Sequence, residues 1–295
     1  MKNKLRILYV GCVQMSDFLL DATLSIREAE VVGVITKEAS SYNSDFCNLK
    51  ARAEELAIPV WTRKVADATV WARELKPDIL YCFGWSELLS QDFFAIPRMG
   101  GIGFHPAALP ANRGRHPLIW TLALGLMETA STFFYMDEGA DSGDILDQRK
   151  IGISKKDNAH TLYEKVKRTA ASQVRSFTPK LLLGNAPRRK QNAVLASSWR
   201  KRSALDGRID WRMSARSIYN LVRALSKPYP GATFMYAGVE RPLWAAEICK
   251  TSDVFAEPGK VLQSGPKGVV VRCGEQAIRV PIDAFENPPR RGEYL

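Results

Sequence analysis

Residues 5–36 read LRILYVGCVQMSDFLLDATLSIREAEVVGVIT, and the change of period inside this stretch decides the fold. Leu5–Gly11 and Val31–Thr36 are short runs of branched and aromatic residues, the pattern of buried strands. Between them, Asp17–Glu28 carries its apolar residues at helical spacing. Strand, helix, strand in this order is a βαβ unit, which implies parallel pairing in a sheet covered on both faces.

Further along the chain the alternation continues. Ile58–Thr62 and Asp78–Phe83 (DILYCF) read as strands, and Asn43–Leu56 and Asp67–Leu75 as helices. The expected fold class is therefore α/β, with a Rossmann-like, mostly parallel sheet. The first strand is followed by Tyr9-Val10-Gly11-Cys12-Val13, which holds a single glycine where a dinucleotide fingerprint needs three. No GxxxxGK[ST] loop occurs either, so neither NAD nor ATP is expected to bind in the usual way.

A long helix is expected over Asn158–Leu183, capped near Asp157 and ended by Gly184. Residues 185–205 read as a linker, and Ser214–Leu225 as a shorter helix. Lys227-Pro228-Tyr229-Pro230-Gly231 enforces a turn. Beyond it come the short strands ATFMYA, RPLWAAEI, GKVLQS, GVVVRC and AIRVPI, the spacing of a small antiparallel barrel or sandwich. Two domains follow: residues 1–200 as the catalytic domain, and 201–295 as a linker helix with a small C-terminal β-rich domain.

A length of 295 residues with 46% hydrophobic and 25% charged residues suits two soluble globular domains. No apolar run approaches the roughly 20 residues that span a bilayer. The basic opening MKNKLRILYVGC breaks at Gly11 and runs into Gln14, Ser16 and Asp17, so it reads as a first strand rather than a signal peptide. Cysteines 12, 47, 82, 249 and 273 are odd in number and form no CxxC. Reduced thiols in a cytoplasmic location are expected, without disulfides and without a metal site. Net charge is +11 and favours anionic partners. Arg188-Arg189-Lys190, Arg200-Lys201-Arg202 and Arg290-Arg291 read either as solvated surface or as a phosphate footprint.

The chemistry concentrates in residues 101–146, GIGFHPAALPANRGRHPLIWTLALGLMETASTFFYMDEGADSGDIL. This segment holds two of the three histidines, two loop arginines and a carboxylate cluster in a glycine-rich turn. His105 ends a strand-like run, and Asp141 sits in Gly139-Ala140-Asp141-Ser142-Gly143-Asp144, where glycines let backbone approach a flat ligand. An imidazole can remove a proton or stabilise an oxyanion, and a buried carboxylate can orient it. His116 is either a helix-entry residue or part of a pocket, and His160 reads as structural. Phe133-Phe134-Tyr135 reads as sheet core.

These motifs resemble the signature of formyltransferases that use N10-formyltetrahydrofolate. That family reads Asn-x-His, Pro-Ser-Leu-Leu-Pro, Arg-Gly and Asp-x-Gly. This chain has His105-Pro106-Ala107-Ala108-Leu109-Pro110, Asn112-Arg113-Gly114 and Asp141-Ser142-Gly143, the aspartate 36 residues after the histidine. Phe83-Gly84-Trp85-Ser86-Glu87-Leu88-Leu89 resembles the family's pterin-pocket loop, and the likeness extends to Ile209-Asp210-Trp211 and Pro228–Ala232. It implies His105 and Asp141 as the catalytic pair, and a pterin held by Trp85, Leu88, Leu89, Gly139 and Asp141. One departure stands out: Gly103 replaces the Asn of Asn-x-His, a donor whose counterparts are worth ~100-fold in rate. Asn112, Ser86 or a backbone N–H are the candidate substitutes.

Three acceptors fit such a family. Methionyl-tRNA is disfavoured because Thr36–Asp45, after the second strand, is short and nearly neutral rather than basic. Glycinamide ribonucleotide enzymes are shorter. The loops around Lys37–Asp45, Asn112–Pro117 and Ser131–Asp141 resemble nucleotide-sugar N-formyltransferases, closest to the pseudaminic acid pathway type. The resemblance implies a UDP-linked 4-amino sugar as acceptor, with Asn112, Arg113 and Arg115 binding the substrate and the diphosphate near Arg113 or Arg115. A homodimer is compatible with it and no membrane partner is expected. A folate-binding protein with little transferase activity, or a hydrolase of formylfolate, stands as the other reading.

Overall fold

The computed structural model describes residues 4–40, 44–251 and 253–295. Along the chain come β1 (Leu5–Val10), α1 (Gln14–Leu24), β2 (Ala29–Ile35), α2 (Lys50–Glu55), β3 (Val60–Trp61), α3 (Thr69–Glu74) and β4 (Ile79–Cys82). There follow α4 (Gln91–Phe94), β5 (Gly101–His105), β6 (Arg113–Gly114), α5 (Pro117–Ala123), β7 (Glu128–Tyr135) and β8 (Ile145–Gly152). Then come α6 (Ala159–Leu182), β9 (Ser198–Trp199), α7 (Ala215–Ala224), β10 (Ala232–Tyr236) and β11 (Val239–Leu243). The last strands are β12 (Glu247–Cys249), β13 (Val261–Gly265), β14 (Gly268–Arg272) and β15 (Ala277–Val280).

Seven of these strands form one sheet in the order β3-β2-β1-β4-β5-β7-β8. From β3 to β5 all pairs are parallel, and β7 turns antiparallel to β5. The expected Rossmann-like sheet is present. β1 is buried along nearly its whole length because helices cover both faces. One face packs Leu8, Val10, Ile35, Leu80 and Phe93 together. On the other, Phe133 meets Phe83, Phe104 and Phe177 at ring separations of 5.1, 4.9 and 4.9 Å. Strand order reverses between β1 and β4, so their carboxyl ends open a crevice.

Gly11 explains why a single glycine after β1 suffices here. A Cβ at that position would lie 2.4 Å from Cβ of Ser16 and 2.6 Å from the Phe83 carbonyl. The glycine serves close packing of α1 on the loop after β4: Ser16 Oγ accepts from the Val13 N–H at 3.1 Å and donates to the Phe83 carbonyl at 2.5 Å.

Some expected boundaries differ. Ser41, Tyr42 and Asn43, which include the expected start of the second helix, lie outside the described residues. α2 is much shorter than the expected Asn43–Leu56. Gln14 N–H donates to the Asp45 carbonyl at 2.9 Å and Cys47 N–H to that of Cys12 at 3.0 Å, so that backbone is committed elsewhere. The cap of α6 is Asn158, whose Oδ1 accepts from the Thr161 N–H at 3.0 Å, rather than Asp157. The expected strand RPLWAAEI is broken between β11 and β12, whose partners belong to different sheets.

The chain divides into two compact units: Met1–Pro117, Thr129–Gly152 and Glu164–Trp199 in the first, and Leu118–Glu128, Ile153–Tyr163 and Arg200–Leu295 in the second. The second unit carries a four-stranded antiparallel sheet, β12-β15-β14-β13, and a separate β10-β11 hairpin. Residues 185–199, expected as linker, are bound into the first unit. Arg189 exchanges backbone bonds with Ile145 at 2.7 and 3.0 Å, and β9 pairs with β6. In two of the basic runs some arginines have side-chain partners. Arg188 pairs with Asp144 at 2.8 Å and lies 4.3 Å over Tyr135. In the second unit, Arg200 pairs with Asp206, and Arg202 lies 4.5 Å over Trp120.

Candidate active site

His105 is the last residue of β5, beside the crevice at the strand ends. It is 4% exposed, so its polar atoms need partners inside the protein. Nε2 lies 2.7 Å from the Asn112 carbonyl oxygen, and Nδ1 lies 3.5 Å from Asp141 Oδ2. Both ring nitrogens therefore face acceptors. A neutral imidazole has one N–H for the two of them, whereas a doubly protonated ring serves both.

Asp141 is held from two sides. Its Oδ2 accepts the Gly114 N–H at 2.9 Å, and its carbonyl accepts from Gln191 Nε2 at 2.8 Å. Gln191 also donates to the Gly143 carbonyl at 2.7 Å and accepts from Arg113 Nη2 at 2.7 Å. Asn112, His116 and Asp141 all have left-handed φ values of 64, 56 and 56°. Asn, Asp and His are the non-glycine residues that enter this region most readily, at a cost of order 1–3 kcal/mol. Three such residues at one site mark a loop shape held by its surroundings.

A cavity of about 630 Å³ opens over this pair. Its walls come from Gly84–Leu89 after β4, Gly103–His105 on β5, Gly114–His116, and Phe134 with Met136–Asp141 around the end of β7. Trp85, Leu88, Leu89, Gly139 and Asp141 thus stand around one space together with His105. Trp85 Nε1 is buried with no hydrogen-bond partner among the described residues, a donor directed at no acceptor of the protein. Arg115 lines the same cavity and is steadied by its bond from Nη1 to the Ser86 carbonyl at 2.8 Å. Lys37 Nζ lies 2.5 Å from Glu87 and 4.8 Å over the Trp85 ring.

The expected substrate residues separate here. Arg115 faces the cavity, whereas Arg113 is turned onto Gln191 and does not line it. Asn112 enters through its backbone: its carbonyl faces His105, and its N–H donates to Ser197 Oγ at 3.0 Å. His116 is among the lining residues. Phe134 also lines the cavity, so the run 133–135 is sheet core only in part. Gln191 was not legible as a site residue; a glutamine after a basic run carries no pattern, and only the fold brings it to Asp141. Burial and the neighbouring Cys12 push the Cys82 thiol, also on the cavity wall, up to about 12.

A Rossmann-like sheet with a buried imidazole at the end of β5 and a part-buried loop carboxylate beside it has the layout of a group-transfer enzyme. Residues 11–176 match the family Formyl transferase, and residues 202–286 match Formyl transferase, C-terminal domain. The chain belongs to the formyl transferase family. Similar folds occur in several solved structures. One is the N-formyltransferase from Helicobacter canadensis in complex with folinic acid and dTDP-3-aminofucose (16% identity, TM-score 0.72, 94% of this chain and 99% of that one). Another is a 4-N formyltransferase from Francisella tularensis (20%, TM-score 0.65, 80% and 94%). HypX from Aquifex aeolicus in complex with tetrahydrofolic acid is a third (20%, TM-score 0.66, 93% of this chain but 43% of that one).

Proposed function

We propose that the protein is an N-formyltransferase that moves the formyl group of N10-formyltetrahydrofolate to the amino group of a nucleotide-linked sugar, with a UDP-linked 4-amino sugar as the leading candidate. The observation that carries this reading is the His105–Asp141 pair inside a cavity whose other walls are backbone-rich loops. A pterin is flat and dense in donors and acceptors, which suits the main chain of 84–89 and 136–141. The solved folate and sugar complexes of similar fold support the same donor and acceptor class.

In this reading the neutral amine nitrogen attacks the formyl carbon, and the C–N bond forms as His105 takes the amine proton. With the Nε2–H committed to the Asn112 carbonyl at 2.7 Å, Nδ1 is the nitrogen that takes the proton, and the charge it gains is met by the Asp141 carboxylate beside it. The 3.5 Å gap to Asp141 shortens as the ring becomes charged. Collapse of the tetrahedral intermediate breaks the bond to N10, and the proton returns from His105 to that nitrogen. Arg115 meets the sugar diphosphate as a charge-assisted donor. Lys37 is paired with Glu87, so its charge is not free for a tRNA backbone.

One assay tests the acceptor: 10-formyltetrahydrofolate with UDP-, dTDP- and GDP-linked 3- and 4-amino sugars and with initiator methionyl-tRNA, read by mass gain. Formylation of the UDP-linked 4-amino sugar is expected. Turnover of the tRNA with every sugar inert overturns the choice of acceptor.

A further inference from the structure

Asn112, Arg113 and Gly114 hold His105 from both sides. The Asn112 carbonyl faces Nε2 at 2.7 Å, and the Gly114 N–H donates at 2.9 Å to the Asp141 oxygen beside Nδ1. Arg113, between them, donates from Nη2 to Gln191 Oε1 at 2.7 Å. Gln191 Nε2 in turn reaches the carbonyls of Asp141 and Gly143 at 2.8 and 2.7 Å. His105, the loop 112–114, Gln191 and the Asp141 turn thus close a ring of contacts, completed by the 3.5 Å approach of Asp141 to Nδ1. Arg113 is part-buried and does not line the cavity. Among the described residues Gln191 is the side chain it bonds, and its Nε is buried with no hydrogen-bond partner. A cation withdrawn from water without a carboxylate is costly to keep, so the bond to Gln191 is the feature to explain.

We infer that Arg113 is a positioning residue for the transfer reaction: through Gln191 it holds the Asp141 turn so that the carboxylate stays beside Nδ1 of His105. This rests on the formyl-transfer reading of the site. The amide of Gln191 makes the hold directional. A glutamine side chain has a donating and an accepting end, which rotation can exchange. A guanidinium only donates, so it selects the orientation with Oε1 toward Arg113 and the Nε2 hydrogens toward the turn. The reversed amide would set its oxygen against two carbonyls and its N–H groups against a cation. A charged donor on Oε1 also polarises the amide and strengthens its bonds to the turn. The turn needs such a hold, because Asp141 sits at a left-handed φ of 56°. The turn's far end is fixed by Tyr135, whose N–H donates to the Asp144 carbonyl at 2.8 Å. The arginine loop is fixed as well: a Cβ on Gly114 would overlap the Trp199 carbonyl oxygen, so the loop lies pressed against β9.

The test is steady-state transfer by wild type, Arg113→Met, Arg113→Lys, Asp141→Asn and Arg113→Met/Asp141→Asn, with crystal structures of wild type and Arg113→Met. Arg113→Met is expected to lose ~10-fold or more in kcat with acceptor KM nearly unchanged. Arg113→Lys keeps a charged donor for Oε1 and is expected to retain most of the rate. In the Asp141→Asn background the Met substitution is expected to cost little further, since both changes act on one contact. In the crystal, Asp141 Oδ2 is expected to withdraw from Nδ1. If Arg113→Met does not fold, Arg113→Gln, shorter and uncharged, carries the same readouts. A raised acceptor KM with kcat intact returns Arg113 to substrate binding and overturns the inference, as does full additivity with Asp141→Asn. A wild type that transfers the formyl group to no acceptor removes the reading of the site instead. The crystal structures then decide the hold on Asp141, and an unmoved turn overturns it.

Discussion

One carboxylate oxygen of Asp141 accepts the Gly114 N–H at 2.9 Å and stands 3.5 Å from Nδ1 of His105. The same atom that anchors the turn after β7 to the arginine loop thus also orients the imidazole. Substituting Asp141 by Asn keeps an oxygen able to accept from Gly114 while removing the charge beside the ring. Asp141→Asn is expected to retain its fold and lose ~100-fold or more in kcat, and His105→Ala to abolish transfer. Steady-state kinetics with circular dichroism checks both. Near-normal kcat in His105→Ala would place the chemistry elsewhere.

Gln191 provides the second prediction. Its amide holds the carbonyls of Asp141 and Gly143, and its oxygen takes Arg113. Gln191→Ala leaves two turn carbonyls without that donor, a loss of about 1–3 kcal/mol if water does not replace it. The expected result is a lower kcat with little change in donor KM, since the lost contact positions Asp141. Unchanged kcat with a lowered melting temperature alone would reduce Gln191 to a structural role.

Restoring the amide that other family members carry is expected to fail as a single change. Gly103→Asn drives a Cβ into the Phe134 ring, an overpacking that costs about 1–3 kcal/mol. A double-mutant cycle of melting temperatures measures it: the drop caused by Gly103→Asn is expected to be smaller in a Phe134→Ala background than in the wild type. An equal drop in both backgrounds would show that the ring yields freely.

Alkaline pH should weaken the fold. Burial pushes the Cys82 and Cys273 thiols up to about 12 and raises the phenols of Tyr9 and Tyr81 above their ordinary value of 10.0. The unfolded chain ionises these thiols near 9.0 and the phenols near 10.0, while the folded chain keeps them protonated. Between these values the unfolded state binds fewer protons, so stability is complete below about pH 9 and declines above it. A melting temperature that stays level from pH 8 to 11 would contradict this.

The alternating pattern from Leu5 to Phe83 determined the parallel sheet, because period and branching reflect burial on two faces regardless of what packs there. The resemblance of the motif, with its 36-residue spacing, put His105 and Asp141 in one reading; because β7 runs antiparallel to β5 and its end lies beside Ile102, it is the loop after β7 that brings Asp141 back to His105. Other features needed the fold. Arg113 and Arg115 are indistinguishable as sequence and two apart, a spacing that would share one face of a regular strand, but Gly114 between them has a φ of 96° that turns the backbone, and only Arg115 faces the cavity while Arg113 meets Gln191. The basic run at 188–190 read as linker because charge marks surface, yet its backbone pairs with Ile145. The exchange of a side chain at 103 for the ring of Phe134 joins positions 31 residues apart. Such a volume is shared across two strands, and only their antiparallel register determines which residue fills it.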